Sequence, residues 1–170
     1  MSIFKPDLMV HSIMDIQPSD LQDRGIQAMI LDADNTLSVH GSAIPYNGVP
    51  DWIQTMKAAN ISMLIASNNT QQRIHPLAQN LGLEYRYMSL KPLPFIFCSA
   101  RKTFGVPRKK IAVIGDQLFT DIVGGHLAGM MTILVEPFEM ETGMLALFKR
   151  KLEAPLIRRY RKHQTRNGGR

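Results

Sequence analysis

The residues able to do chemistry lie in four short polar clusters. The clusters occupy positions 32–37, 67–70, 89–92 and 115–121, and each follows directly on a short run rich in apolar residues. They supply carboxylates, a hydroxyl, amides and a lysine. In an open α/β sheet the site forms outside the carboxyl ends of the strands. If the apolar runs are strands, the four clusters therefore meet at one edge of the sheet.

Side chains of this kind fit phosphoryl transfer. A carboxylate such as Asp32 can attack phosphorus and form an aspartyl-phosphate, which splits one difficult step into two. Asp34 can protonate the leaving oxygen and later activate water. Lys91 would neutralise charge on the transferring group, and the Ser67 hydroxyl could donate a hydrogen bond to it. We therefore predict catalytic roles for Asp32, Asp34 and Lys91, and phosphate binding by Ser67, Asn68 and Lys91.

The same clusters predict a metal cofactor. Carboxylates without an accompanying cysteine or histidine cluster favour a hard, oxygen-binding cation, and Mg²⁺ is the natural candidate. The single cysteine, Cys98, excludes an intrachain disulfide and an all-cysteine zinc site. Mg²⁺ would bridge protein and phosphate oxygens and hold the transferring group in line for attack.

The apolar runs, and the segments between them, predict the elements that must position these clusters. Parallel strands covered by helices on both faces have short apolar sequences, which predicts strands at 26–31, 61–66, 84–88, 110–114 and 131–135. Amphipathic segments predict helices at 50–59, 70–81, 92–104 and 119–128. Strand and helix therefore alternate, which predicts an α/β fold with a doubly wound parallel sheet and right-handed crossovers.

The length of the chain allows one domain. Its 170 residues, 45% hydrophobic and 20% charged, are typical of a soluble globular domain with a proper core. We place this domain at residues 1–148, with its core at 26–136. Within residues 1–25, a periodic apolar stretch that includes Leu8 and Ile13 predicts a short helix packed on the body.

Charge is divided unevenly along the chain. The net charge is +6, but residues 149–170 contain nine Lys or Arg residues and one acid, so this basic C-terminal tail carries +8 and residues 1–148 carry −2. A basic tail predicts a polyanion partner, either an anionic membrane surface or a nucleic acid. RNA binding is disfavoured because Tyr160 is the only aromatic residue among the tail's basic ones. A solvated C-terminus is the alternative.

An apolar stripe accompanies the basic residues. Leu145, Phe148, Leu152 and Leu156 recur at steps of three and four residues, which is typical of a basic amphipathic segment that lies on an anionic membrane. Docking of this stripe on the protein's own body is the alternative. No apolar run approaches the roughly 18 residues that a transmembrane helix requires, and the N-terminus does not resemble a signal peptide. We expect a cytoplasmic protein, either free or peripheral at the membrane.

The four clusters resemble the motifs of the haloacid dehalogenase superfamily. Asp32-Ala33-Asp34-Asn35-Thr36 resembles its first motif, DxDxT, Ser67 the second, Lys91 the third, and Gly115-Asp116 with Asp121 the fourth. Order, spacing and placement after strands agree over residues 26–136. The runs 32–37, 67–69, 91–94 and 115–121 further resemble the YqeG family of subfamily IIIA phosphatases. That bacterial family is similar to the mitochondrial phosphatidylglycerophosphate phosphatase of fungi.

This resemblance implies a Rossmann-like fold with the nucleophile strand at its centre, Mg²⁺ dependence and hydrolysis of phosphate monoesters. Carried over by position, Asp32 is the nucleophile and Asp34 the general acid and base. The resemblance further implies that Asp32, the backbone carbonyl of Asp34 and Asp116 hold Mg²⁺, with Asp121 close by or acting through water.

The spacing of the motifs bears on the substrate. Ser67 follows Asp32 by 35 positions and Lys91 follows Ser67 by 24, and one crossover helix fills most of each interval. Neither interval leaves space for an inserted cap domain, so we expect a capless site that is open to solvent. Such a site suits a bulky substrate, and by analogy with the family we expect a lipid phosphate such as phosphatidylglycerophosphate.

Other interpretations remain open from the sequence. The substrate could be a nucleotide, a nucleic-acid end or a phosphoprotein. A non-catalytic class is a phospho-accepting regulator or a nucleic-acid-associated protein, although an acid at Asp34 serves hydrolysis rather than a lasting phosphoryl switch. Taken singly, the clusters also have structural explanations, since Asp and Asn are common in turns, and Ser67 and Asn68 could cap the following helix.

Overall fold

A sheet of six parallel strands runs through the molecule. The computed structural model describes residues 3–137 and residue 155. The strand order is β1-β6-β5-β2-β3-β4, and every neighbouring pair is parallel. The strands are β1 (Leu8–Val10), β2 (Ala28–Leu31), β3 (Ser62–Ala66), β4 (Glu84–Arg86), β5 (Ile111–Gly115) and β6 (Met131–Val135). The predicted α/β class and parallel sheet are confirmed.

Each crossover between consecutive strands from β2 to β6 contains a helix. After the short α1 (Pro18–Gln22), the crossover helices are α2 (Val49–Ala58), α3 (Gln71–Leu81), α4 (Phe95–Phe104) and α5 (Val123–Leu127). Short 3₁₀ turns cover Ile13–Asp15 and Arg108–Lys110, and a π-helical turn, Leu118–Ile122, precedes α5. Over residues 3–137 these crossovers contain no inserted cap domain.

The sheet is buried on both faces, because alternate residues of each strand point to opposite sides. On one face Met29 and Leu31 belong to the apolar cluster that includes Ile53 of α2 and Leu77 of α3. On the other face the side chains of β2 join the cluster formed with α4, which includes Phe97. A doubly wound arrangement follows, with helices on both sides of the sheet.

Close packing of α5 requires glycine. A Cβ atom at Gly124 would lie 2.5 Å from the ring of Phe97, and one at Gly125 would lie 2.7 Å from the side chain of Thr132. The two glycines therefore let α5 pack directly against α4 and β6, on the face of the sheet next to the π-helical turn.

Chain order reverses beside β2, which is central in the sheet. From β2 the chain proceeds outward through β3 and β4, and then returns to the other side of β2 to form β5 and β6. Such a switch point opens a crevice at the carboxyl ends of the strands. The residues that follow β2 and β5 therefore lie at the mouth of this crevice.

The prediction of a helix around Leu8–Ile16 was wrong. Residues Leu8–Val10 form the edge strand β1, which pairs with β6 in the register Leu8↔Ile133, and only a 3₁₀ turn follows. The edge of β6 offers backbone hydrogen bonds that local periodicity does not reveal, and Asp7 extends the pairing by accepting a hydrogen bond from the Thr132 backbone N–H at 2.8 Å.

Two helix boundaries also differ from expectation. The helix predicted at 92–104 begins only at Phe95, and the one predicted at 119–128 is divided into a π-helical turn and α5. In the part of the chain that the structure describes, no helix combines the length and hydrophobicity needed to cross a membrane. The predicted basic tail, residues 149–170, lies outside the described residues apart from Pro155.

Candidate active site

Sheet register brings two of the predicted carboxylates side by side. Leu31 of β2 pairs with Ile114 of β5, and the Asp32 backbone N–H donates to the Ile114 carbonyl at 2.8 Å. Asp32 and Asp116 follow the ends of these adjacent strands. Both residues are buried, because they lie directly next to the apolar core at the carboxyl ends of their strands.

A third carboxylate joins them from the π-helical turn. One carboxylate oxygen from each of Asp32, Asp116 and Asp121 lies within 4.8 Å of the others, and all three residues are buried. We call these three residues the carboxylate cluster. Of the four predicted metal-ligating residues, the structure thus brings three side chains together.

Glycine at the end of β5 makes room for Asp121. A Cβ atom at Gly115 would lie 2.4 Å from the Asp121 carboxyl carbon, so any side chain there would displace the carboxylate. Asp121 Oδ2 accepts from the Gln117 backbone N–H at 3.3 Å. A π-helical turn widens the helix locally and is frequent at functional sites, and here it carries Asp121 to the cluster.

Lys91 inserts its ammonium group between two of the carboxylates. Its Nζ lies 2.5 Å from Asp32 Oδ1 and 2.6 Å from Asp121 Oδ1, and the lysine side chain is only 3% exposed. Three carboxylates and one ammonium leave a formal charge of −2 in the buried group. Lys91 is therefore the internal counterion of the cluster, and its charge alone does not neutralise it.

The Lys91 backbone is held by Asn68. The Asn68 side chain accepts from the Lys91 backbone N–H at 2.8 Å and donates to the Lys91 carbonyl at 3.1 Å. Both ends of the Asn68 amide are thus used to position the lysine. The predicted phosphate contact of Asn68 stays a prediction, and the two bonds to the Lys91 backbone use only one of the two N–H donors of its side-chain amide.

Burial dominates the acidity of Asp32. It raises the pKa of the Asp32 carboxyl from 3.8 to about 7, against the opposing effect of the Lys91 charge and in the same direction as the nearby Asp121 and Asp34 charges. For Lys91, burial acts to lower the pKa of the ammonium, but the charges of Asp121 and Asp32 outweigh it and hold the pKa above its ordinary value. Lys91 is therefore charged at neutral pH.

Asp34 has partners of its own, away from the carboxylate cluster. Its Oδ1 accepts from the Gly41 backbone N–H at 2.7 Å and lies 3.4 Å from His40 Nδ1. Its Oδ2 accepts a short hydrogen bond from the side-chain amide of Asn69. These contacts orient the carboxyl group that the sequence assigns to proton transfer.

Ser67 lies at the carboxyl end of β3 and is buried. Its Oγ accepts from the Asn69 backbone N–H at 3.2 Å within the loop after β3. The alternative in which Ser67 or Asn68 caps the following helix was wrong, because the N-cap of α3 is Thr70. A hydroxyl that accepts one bond can still donate another. The predicted hydrogen bond from Ser67 to a phosphate is compatible with this geometry and stays a prediction.

The sequence assigned no role to Asn69, His40 or Gly41, although all three contact Asp34. Asn69 stands in the polar cluster that contains Ser67, and that position was the available signal. His40 and Gly41 belong to the loop after β2 and are brought back to Asp34 by a turn, in which Ser38 bridges to Asp34 and to Pro45. The spacing of residues in the sequence does not predict that this loop folds back onto Asp34.

The raised pKa of Asp32 predicts a pH-dependent stability in the presence of a chelator. An acid with a raised pKa in the folded state destabilises that state as pH rises from about 4 to about 7, because the unfolded chain ionises first. We expect the melting temperature of Asp32→Asn to exceed that of the wild type by several degrees at pH 8, and the difference to shrink towards pH 4. If the difference in melting temperature between the two proteins were the same at pH 4 and pH 8, the raised pKa of Asp32 would be contradicted.

Loss of the Lys91 charge should destabilise the metal-free protein strongly. Removing one partner of a buried ion pair costs about 3–5 kcal/mol, because the remaining charges stay buried without compensation. We expect Lys91→Met to lower the free energy of unfolding in a chelator by this amount, as measured by urea denaturation. Lys57→Met, at an exposed lysine that donates to the Gly82 carbonyl, serves as the control and should cost far less. Equal losses would show that Lys91 does not act as the internal counterion.

Comparison with known proteins agrees with this geometry. The sequence model of the haloacid dehalogenase-like hydrolase family matches residues 3–129. The probable phosphatase YqeG of Bacillus subtilis (strain 168) is 33% identical over 154 residues, covering 91% of this chain and 90% of the relative. The mitochondrial phosphatidylglycerophosphatase GEP4 of Saccharomyces cerevisiae is 29% identical, covering 89% of this chain and 88% of the relative.

A solved structure shares the fold. The 4-nitrophenylphosphatase of Thermotoga maritima superimposes with a TM-score of 0.52 at 15% identity, covering 70% of this chain and 89% of that chain. The family match extends over most of the described residues and includes all four predicted motifs. The chain therefore belongs to the haloacid dehalogenase-like hydrolases, as a phosphatase homologous to YqeG.

Proposed function

We propose that this protein is a Mg²⁺-dependent phosphate monoester hydrolase that uses Asp32 as nucleophile and acts on a lipid phosphate such as phosphatidylglycerophosphate. The observation that carries the proposal is the buried carboxylate cluster with Lys91 between Asp32 and Asp121. It combines an attacking oxygen, a fixed positive charge and acidic ligands at the mouth of one crevice.

The residues of the carboxylate cluster fit a divalent cation of the magnesium type. The donors are all carboxylate oxygens, which hard cations prefer over softer nitrogen or sulfur ligands. Their formal charge together with Lys91 is −2, which one divalent ion would balance. The side chains of Asp32, Asp116 and Asp121, with the backbone carbonyl of Asp34, would hold the ion. When bound, it supplies charge neutralisation and alignment of the phosphate oxygens.

Asp32 performs the first transfer in the proposed reaction. A carboxylate oxygen of Asp32 forms a bond to phosphorus while the bond between phosphorus and the leaving alkoxide breaks. The leaving oxygen takes a proton from the Asp34 carboxyl, so the leaving group departs as the free alcohol and Asp34 becomes a carboxylate. Lys91 stabilises the negative charge on the transferring group because its ammonium already lies 2.5 Å from the attacking residue.

Water completes the reaction. Asp34, now ionised, takes a proton from a water molecule that attacks phosphorus, and the bond between phosphorus and Asp32 breaks to release phosphate and regenerate both carboxyl groups. The contacts of Asn69 and the Gly41 backbone hold Asp34 in one orientation for both proton transfers. Asn69 and Gly41 thus act as positioning groups for the general acid and base.

Two observations support a lipid phosphate as substrate. The crossovers over residues 3–137 contain no cap domain, so the crevice has room for a substrate that is part of a larger assembly. One relative that matches over 89% of this chain carries the name phosphatidylglycerophosphatase. A lipid presents its phosphate at an interface, which suits an open edge of a sheet better than an enclosed pocket does.

The nucleophile and the metal are tested together on a soluble substrate. We expect hydrolysis of 4-nitrophenyl phosphate to require added Mg²⁺ after chelation, and to fall in Asp32→Asn by a factor on the order of 10³ or more. Asp23→Asn makes the same change at an exposed residue between α1 and β2 and should retain activity. Turnover that persists in Asp32→Asn, or in excess chelator, would overturn the proposed chemistry.

The substrate class is tested by competition among phosphate monoesters. We expect kcat/KM for phosphatidylglycerophosphate in mixed micelles to exceed that for nucleotides and for a 3′-phosphorylated oligonucleotide by at least about tenfold, equivalent to 1.4 kcal/mol of transition-state binding. Asp32→Asn provides the blank for each substrate. A preference for a nucleotide or oligonucleotide would overturn the lipid assignment without affecting the chemistry at Asp32.

A further inference from the structure

Large apolar side chains are exposed along the loop that carries Lys91. Tyr87, Met88, Leu90, Leu93 and Phe95 lie between β4 and the first turn of α4, and we call these five residues the apolar rim. Leu90 is 61% exposed and Phe95 is 73% exposed. Single exposed apolar residues are common, but five large ones within nine residues of one loop beside the candidate site favour an interaction surface.

The loop reverses the usual distribution of polar and apolar residues. Ser89 and Lys91 point inward and are buried, whereas Met88 and Leu90, which alternate with them, point outward. Backbone bonds fix this arrangement, since the Ser89 N–H donates to the Ser67 carbonyl at 3.0 Å and the Met88 N–H donates to the Asn69 carbonyl at 2.9 Å. The same segment therefore carries a catalytic charge on its inner side and apolar groups on its outer side.

Turn chemistry does not account for the residues on the outer side. Met88 and Leu90 have φ angles of 43° and 53°, in the left-handed region that Gly and Asn adopt with less strain. Asn at either position would suit both the backbone and the solvent. The loop instead presents bulky apolar side chains at a cost in stability, which favours a role for those side chains in contacting a partner.

We propose that the apolar rim inserts into the surface of a lipid aggregate and brings a phosphorylated headgroup to the crevice beside it. This inference rests on the proposed lipid-phosphate activity. Lys91 and the rim share one loop, so a substrate that carries both a phosphate and acyl chains would contact both. This arrangement favours a lipid over a protein as the partner. The charge of the chain also favours a lipid surface, because the basic tail carries +8 and anionic lipids attract basic segments.

The rim is tested with substitutions that preserve charge. The double variant Leu90→Asn, Phe95→Gln removes the two most exposed side chains of the rim, and Asn suits the left-handed backbone at position 90. Leu127→Gln is the matched control, because Leu127 is 56% exposed at the C-terminal end of α5 and does not belong to the apolar rim. All proteins are used as full chains, so the basic tail is the same in each.

A fluorescent probe reports the approach of this surface to a membrane. Cys98 is the single cysteine, is exposed, and lies about one helical turn after Phe95 on α4. A polarity-sensitive dye on Cys98 should shift to shorter emission wavelength with vesicles of phosphatidylcholine and phosphatidylglycerol. High salt screens the basic tail. Under that condition we expect vesicle affinity to fall about tenfold or more in the double variant and to stay unchanged in Leu127→Gln.

Activity provides the second measurement. We expect the ratio of phosphatidylglycerophosphate to 4-nitrophenyl phosphate hydrolysis to fall about tenfold in the double variant, because apolar contact serves only the lipid. If the wild type does not hydrolyse the lipid but its dye responds through the rim, the proposed substrate and the delivery of its headgroup are overturned, and only insertion of the rim into a lipid surface is supported. If the ratio and the dye response are unchanged in the double variant, the rim inference is overturned while the proposed function stands.

A change of molecular mass in solution would also be decisive. If the wild type is an oligomer without vesicles and the double variant is smaller, the rim is an interface between copies of this chain, and the lipid-surface inference is overturned. The same mass for wild type, double variant and Leu127→Gln, together with a rim-dependent dye response, supports it. Light scattering of the three proteins makes this measurement.

Discussion

The buried ammonium of Lys91 is the constraint on which the site depends. Three carboxylates lie within 4.8 Å of one another in a buried position, an arrangement that is costly without positive charge nearby. Lys91 provides that charge to Asp32 and Asp121 at 2.5 and 2.6 Å. One lysine thereby ties together the end of β2, the π-helical turn after β5 and the loop after β4, so the ion pairs that serve chemistry also fix the relative positions of three elements.

Several neutral groups support this arrangement. Asn68 holds the Lys91 backbone through both ends of its amide, Gly115 leaves the space that the Asp121 carboxylate occupies, and Asn69 holds Asp34. Each acts through geometry rather than charge. The result is a crevice in which the proposed nucleophile Asp32, its counterion Lys91 and the proposed proton donor Asp34 have separate supports, so that the proposed proton transfer at Asp34 need not disturb the ion pairs around Asp32.

The loop after β4 connects chemistry with the environment of the substrate. Its inner side contributes Lys91, and its outer side presents the apolar rim, including Leu90 and Phe95. Within residues 3–137 no cap domain covers the crevice, so this part of the chain does not provide the shielding that such a domain would give. An interface that covers the crevice while the substrate is bound would restore that shielding, which gives one physical reason for an apolar surface to stand beside buried charges.

The sequence by itself determined the parallel α/β sheet and the four motif positions, because buried strands have apolar runs and parallel strands place the following residues at one edge. It did not determine β1, whose formation depends on hydrogen bonds offered by β6 from the far end of the domain. Only the tertiary structure decided that Lys91 bridges Asp32 and Asp121, and that Gly41 and Asn69 meet at Asp34. Local sequence patterns report burial and backbone preference, whereas the pairing of distant side chains depends on register and loop paths that the assembled fold alone sets.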